Sequence, residues 1–229
     1  MCQMDAVPIA IAHRGDPVAA RENTLAAFAA ALRQGADMVE LDLRRTADGE
    51  IIVLHDATLA RLWGVERDVA DLNLAAVQEL GYDDERIPTL RRVLQDIDIP
   101  LMVDFTGGDV VEGALQVVRE ADASERSLFV SGNIAALRAL RSLAPEARIG
   151  LTWVRAEPPP FPLLHELGAE YWNPTFRLVT PDWVTAVHDH GLKVSTWTVD
   201  KPRHMARVVA AGVDAIVSNR IGALRRHLA

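Results

Sequence analysis

Between Ile9 and Ser218 the chain repeats one pattern: a short apolar run, then a segment whose apolar residues recur at helical spacing. Parallel strands need a crossover of a dozen or more residues, usually a helix, so this alternation marks a parallel sheet. The strand-like runs are Ile9–His13, Met38–Leu43, Leu101–Phe105, Leu128–Ser131, Ile149–Trp153, Glu170–Asn173, Val194–Thr198 and Asp214–Ser218. Eight such units in 229 residues predict an α/β fold, a closed (β/α)8 TIM barrel rather than an open doubly wound sheet. The first crossover shows the logic residue by residue. Thr24 is placed to cap a helix carrying Leu25, Phe28, Ala29 and Leu32 at i, i+3, i+4 and i+7, and Gly35 ends it.

One segment breaks the alternation. Ile51–Leu54 is strand-like but follows the second strand by only a few residues, through Asp48-Gly49, a hairpin dipeptide. It is expected to be an antiparallel return strand, and a two-residue turn would set His55 nearly opposite Asp42. Residues 59–86 read as a mixed polar insertion with a short helix around Leu74–Leu80, and Thr89 caps the next helix. Pro158–Pro160 with Pro162 read as a stiff loop. The simplest partition is one barrel domain over 1–229 with a small insertion at about 59–86, since a chain of this length buries about 70% of its surface around one core.

Lys and Arg number 24 against 32 Asp and Glu, a net charge of -8. Bulk attraction to nucleic acid or to an anionic membrane is therefore not expected, and an anionic small-molecule ligand needs local cations or a metal. The single cysteine, Cys2, cannot form an intrachain disulfide. Asp5, Pro8 and strand-like sequence from Ile9 leave no room for a signal peptide, so a cytoplasmic location is expected. Apolar stretches such as Leu25–Leu32 fall far short of the roughly 20 residues of a membrane span. Nothing in the pattern fixes an oligomeric state.

Side chains alternate across a strand. In the second strand Met38, Glu40 and Asp42 share one face, while Val39, Leu41 and Leu43 suit the helix-covered outside. The third repeats this with Met102 and Asp104 against Leu101, Val103 and Phe105. Glu40, Asp42 and Asp104 thus converge near the C-terminal mouth of the barrel, where barrel active sites lie. Three carboxylates in a low dielectric stay ionised only with a compensating charge, and a hard divalent cation, Mg²⁺ or Ca²⁺, suits an all-oxygen set. Pairing with Arg14, Arg44 or Arg45 is the competing structural role. His13 ends the first strand and His55 the return strand, so two imidazoles can divide the proton transfers of a reaction. Arg14 can hold a phosphate or neutralise Glu40 or Asp42. His165, His188, His190, His204 and His227 are read as structural or surface groups.

Taken in order, His13-Arg14-Gly15, Glu22-Asn23-Thr24, Glu40-x-Asp42, Asp48-Gly49 and His55-Asp56 closely resemble the glycerophosphodiester phosphodiesterase family, which shares its barrel with the phosphatidylinositol-specific phospholipases C. The likeness continues through Ile87-Pro88-Thr89-Leu90, Trp197-Thr198-Val199 and Gly212-Val213-Asp214. It implies metal-dependent hydrolysis of glycerophosphodiesters to glycerol 3-phosphate and an alcohol. It further implies that His13 and His55 form the acid/base pair, that Glu40, Asp42 and Asp104 bind the divalent cation, and that Arg14 and Trp197 meet the substrate. His13 is assigned as base and His55 as acid, with the exchange left open. Asp104-Phe105-Thr106 departs from the usual Glu-x-Lys, Arg21 from a proline, and Ser131-Gly132 from Ser-Phe. Two other readings stand beside this one: a non-catalytic barrel that binds phosphate ligands, and a phosphodiesterase of the same fold acting on lysophospholipids.

Overall fold

The computed structural model describes residues 7–157 and 160–229; the expectations resting on Cys2, Asp5, Pro158 and Pro159 fall outside them. Its strands are β1 (Ile9–His13), β2 (Met38–Arg45), β3 (Ile51–Val53), β4 (Thr58–Leu59), β5 (Val65–Asp68), β6 (Leu101–Asp104), β7 (Ser127–Ser131), β8 (Arg148–Trp153), β9 (Tyr171–Pro174), β10 (Lys193–Thr196) and β11 (Ala215–Ser218). Its helices are α1 (Leu25–Arg33), α2 (Ala60–Trp63), α3 (Leu74–Gln78), α4 (Leu90–Asp96), α5 (Val111–Glu120), α6 (Ile134–Leu143), α7 (Phe161–Glu166), α8 (Pro181–Asp189), α9 (Pro202–Ala210) and α10 (Ile221–Leu228). Around the ring run β1, β2, β6, β7, β8, β9, β10 and β11, all parallel, and β11 pairs back with β1 to close it. This is the expected eight-stranded barrel, with β3 outside the ring and antiparallel to β2.

Strand alternation sorts the apolar residues into two layers. Ala10, Ala12, Val39, Leu41, Val103, Leu151, Val194 and Ile216 face the helices in the larger core. Ile11, Met38, Met102, Leu128, Val130, Tyr171, Ala215 and Val217 fill the barrel interior. Gly150 belongs to this inner face. A Cβ there would stand 2.9 Å from a Val130 methyl and 3.4 Å from the Tyr171 Cβ, so the missing side chain makes room above all for Val130.

The first crossover sets the path of the chain beyond β1. Thr24 accepts from the Ala27 N–H at 3.2 Å and caps α1, as its place before the periodic run predicts. Gly15 has φ +84°, and a Cβ on it would lie 2.7 Å from the Ala27 carbonyl carbon. The chain leaving His13 and Arg14 therefore lies directly on the first turn of α1. Gly15→Ala combines a left-handed backbone with a backbone clash and is expected to cost about 2 kcal/mol or more. Thermal unfolding checks this: a fall in Tm of roughly 4–8 °C is expected at this size, and an unchanged Tm would contradict the packing.

The return strand forms, but its register differs from the expectation. Gly49 N–H donates to Thr46 C=O and Thr46 N–H to Glu50 C=O, each at 3.0 Å, so the loop is Ala47-Asp48-Gly49 with Gly49 at φ +90°. The Thr46 hydroxyl stabilises it by donating to Asp48 at 2.6 Å. A three-residue loop shifts the pairing by one position relative to a two-residue turn. Leu54, not His55, stands opposite Asp42, through its N–H to the Asp42 carbonyl at 2.9 Å.

The insertion folds its apolar residues inward. Leu59, Val69, Leu72 and Val77 pack with Ile52, Leu54 and Ile87. Within it α3, capped by Asn73, coincides with the expected short helix, and β4 pairs with β5. Pro162 sits in the first turn of α7, a position its missing N–H suits, rather than in a loop. Among the described residues no helix is long and apolar enough to cross a membrane.

Candidate functional site

Barrel register decides which strand-end side chains become neighbours. His13 is paired with Glu40 across β1 and β2, and Asp42 with Asp104 across β2 and β6. Since paired residues of parallel strands point to the same face, four chemistry-bearing groups line one arc of the barrel mouth. Carboxylate oxygens of Glu40, Asp42 and Asp104 all lie within 4.8 Å of one another. Asp104 is in reach of the other two despite its short side chain.

Burial and mutual repulsion govern these acids. Burial pushes the Glu40 carboxyl well above the usual range, and the charges of Asp42 and Asp104 push it further. Burial, then Asp42, carries Asp104 up to about 7. Arg14 offsets only part of this. Its backbone N–H donates to Glu40 at 2.9 Å, its Nη1 to Glu22 at 2.9 Å, and its Nε stands 3.1 Å from Asp42 as an ion pair. The neutralising role weighed for Arg14 is thus realised, and its backbone holds the left-handed φ of +57° to do it. Asn23 donates to Asp42 at 2.7 Å, leaving its own buried Oδ1 without a partner. The donor set is all hard oxygen. Two oxygens across a Ca²⁺ ion stand about 4.6–5.2 Å apart, so the acids fit a hard divalent cation.

The Arg44 guanidinium does not pair with the acids directly. It donates to the His55 carbonyl and, at 2.9 Å, to the Thr106 hydroxyl. A cation from β2 therefore reaches position 106, where the family pattern would place a lysine.

The two histidines are held differently. Nδ1 of His13 lies 2.7 Å from Asn219 Oδ1, and its Nε2 lies 3.9 Å from Glu40. Burial, and after it the Arg14 charge, hold the imidazole below its ordinary 6.5. His55 is more open. Its Nδ1 meets Asp56 at 2.6 Å, and Arg61 binds the other Asp56 oxygen at 2.6 Å while reaching Glu22 at 2.7 Å. Arg61 holds the Asp56 carboxyl down at about 2, which keeps it a charged partner for His55. One chain of ion pairs thus links Arg14, Glu22, Arg61, Asp56 and His55 over the mouth.

Trp197 packs against the inner layer, with Nε1 donating to the Asn173 carbonyl at 3.0 Å; its hydrogen bonds do not reach the acids. Of the outlying histidines, His188 does find an acid, Asp214 at 2.8 Å, which sequence spacing conceals. Sequence reasoning missed Asn219, Asp200 and Arg61 as parts of the mouth, and gave no role to Glu22 and Asn23 although it singled out their motif. Asn219 carried one usable signal, a polar residue directly after the apolar run of β11.

The model of the glycerophosphoryl diester phosphodiesterase family matches residues 13–223. A glycerophosphodiester phosphodiesterase from Caldanaerobacter subterraneus subsp. tengcongensis is 33% identical over 227 residues, covering 92% of this chain and 93% of the relative. Among solved structures, an Oleispira antarctica phosphodiesterase in complex with sn-glycerol-3-phosphate has a TM-score of 0.90 at 24% identity, covering 97% of both chains. A glycerophosphodiester phosphodiesterase from Agrobacterium tumefaciens has 0.81 at 25%, covering 94% of this chain and 98% of that one. These structures speak for the barrel, and the family match begins at His13 itself. On that match and the relative's identity, this chain belongs to the glycerophosphoryl diester phosphodiesterase family and is a phosphodiesterase.

Proposed function

We propose that the chain hydrolyses glycerophosphodiesters to glycerol 3-phosphate and an alcohol, with Glu40, Asp42 and Asp104 holding one divalent cation, Mg²⁺ or Ca²⁺. The observation that carries the reading is the register pairing of His13 with Glu40 and of Asp42 with Asp104, which gathers the acids within 4.8 Å beside an imidazole. When bound, the cation supplies positive charge to a phosphate oxygen as negative charge develops on it.

The chain's own groups supply the rest. Arg14 adds a half-buried guanidinium toward the phosphate, kept in place by Glu22 and Asp42. His13, neutral because burial holds its pKa down, accepts a proton at Nε2 from water or from a neighbouring glycerol hydroxyl. His55, with Nδ1–H held by Asp56, protonates the departing alcohol oxygen from Nε2. Trp197, at the mouth end of β10, offers its ring face to the glycerol carbons. Leu59, Val69, Leu72 and Val77 pack inward, so these apolar residues of the insertion are not offered to a lysophospholipid chain.

The test is choline release from glycerophosphocholine by metal-stripped protein before and after adding Mg²⁺ or Ca²⁺. We expect turnover to return with one of these ions. Saturable binding of glycerophosphocholine with no product, across both metals and other headgroups, would favour the non-catalytic barrel instead.

A further inference from the structure

His13 can take a proton at Nε2 only if its single ring proton sits on Nδ1, and two residues outside the acid cluster decide this. The Asp200 carboxylate accepts three bonds: from Ser218 Oγ at 3.1 Å, from the Asn219 backbone N–H at 2.8 Å and from Asn219 Nδ2 at 2.9 Å. A carboxylate offers only acceptors, so the Asn219 atom facing it is the amide NH₂. The Asn219 oxygen is thereby turned to His13, where it stands 2.7 Å from Nδ1. An amide oxygen has no proton to give, so His13 must donate from Nδ1. The free lone pair is then on Nε2, the nitrogen nearest the acids.

We propose that Asp200 and Asn219 are positioning residues whose task is to fix the tautomer of His13. The proposal rests on the reading of His13 as the base. Asp200 itself touches no acid of the cluster; it acts through Asn219, which follows the last ring strand, and ties the β10 loop to that strand end.

An isosteric change at position 200 upsets this order. In Asp200→Asn, the oxygen of the new amide stays with Ser218 and the Asn219 backbone, which leaves its NH₂ facing the Asn219 NH₂. Asn219 relieves this by turning over, so that its NH₂ points at His13 Nδ1. Nδ1 must now accept, the ring proton moves to Nε2, and the base is lost. Adding Asn219→Asp to Asp200→Asn reverses the polarity of the pair: the amide at 200 donates to a carboxylate at 219, which again accepts from His13 Nδ1.

The experiment compares wild type, Asp200→Asn and Asp200→Asn/Asn219→Asp by steady-state kinetics on glycerophosphocholine with cation present, and by long-range ¹H–¹⁵N NMR of the His13 ring, assigned against His13→Ala. Asp200→Asn should lose about 100-fold or more in kcat with KM within about threefold, the pattern of a wrong tautomer. The double variant should recover to within about tenfold of wild type. NMR should place the ring proton on Nδ1 in wild type and in the double variant, and on Nε2 in Asp200→Asn. Wild-type kcat in Asp200→Asn, an unchanged tautomer in that variant, no recovery in the double variant, or a wild-type His13 protonated on Nε2 would each overturn the proposal. The wild-type spectrum decides even if a variant fails to fold. His13→Ala at full activity would instead sink the assignment of His13 as base, while the tautomer data still judge the clamp.

Discussion

Replacing His13 by alanine is expected to lower kcat on glycerophosphocholine by about 100- to 10,000-fold, with a much smaller change in KM, because the proposed mechanism uses it as proton acceptor in the transition state. The register places this group beside Glu40, and burial keeps it neutral. A pH profile carries the same claim. Protonation of a group held below 6.5 ends base catalysis only under acid conditions, so the acid limb of kcat/KM should fall below pH 6.5. Wild-type kcat in His13→Ala would remove the base from the account, and an acid limb well above that pH would remove its neutral, buried state.

The second large effect concerns stability and activity together. Asp104→Asn should abolish the response to added cation, yet make the metal-free protein more stable at neutral pH. Moving Asp104 from its ordinary 3.8 up to about 7 means that the folded state holds this proton more tightly than the unfolded chain. Such a group contributes stability that is present below about pH 4 and lost as pH rises through about 7. At neutral pH the loss is roughly 4 kcal/mol if Asp104 titrates alone, and less where its proton is shared with the neighbouring Glu40. Removing the charge should therefore raise the Tm of the metal-free protein by roughly 5 °C and flatten the fall in stability between pH 4 and 7. Wild type should regain its deficit on adding cation, by about 2.7 kcal/mol at a hundredfold excess over Kd, whereas Asp104→Asn should not. Differential scanning calorimetry at several pH values, with and without Mg²⁺ or Ca²⁺, reads all of this. A variant less stable than metal-free wild type at pH 7 would contradict the electrostatic picture.

Much of this site was legible because strand alternation is local. Met38, Glu40 and Asp42 declare a common face within five residues, and Val39 and Leu41 declare the other. Thr24 announces its helix in the same way. What stayed hidden depends on contacts that no local pattern encodes. His13 and Asn219 meet across 206 residues because the ring closes between β1 and β11. Arg61 reaches Glu22 and Asp56 from an insertion whose path composition does not specify. The hairpin register slipped by one because a Thr46 hydroxyl and the left-handed Gly49 favour a three-residue loop, a choice that the Asp-Gly dipeptide alone does not make. Arg44 is a further case: the absent lysine at 106 is visible in sequence, but the guanidinium that reaches Thr106 from the neighbouring strand is not.

The most direct measurement is an anomalous diffraction map from crystals soaked in Mn²⁺, a stand-in for Mg²⁺ that scatters strongly. We expect one strong peak bonded to oxygens of Glu40, Asp42 and Asp104, on the side that His13 Nε2 faces. A peak bound elsewhere, or none at saturating Mn²⁺, would contradict the claim that barrel closure assembles these side chains around a single cation.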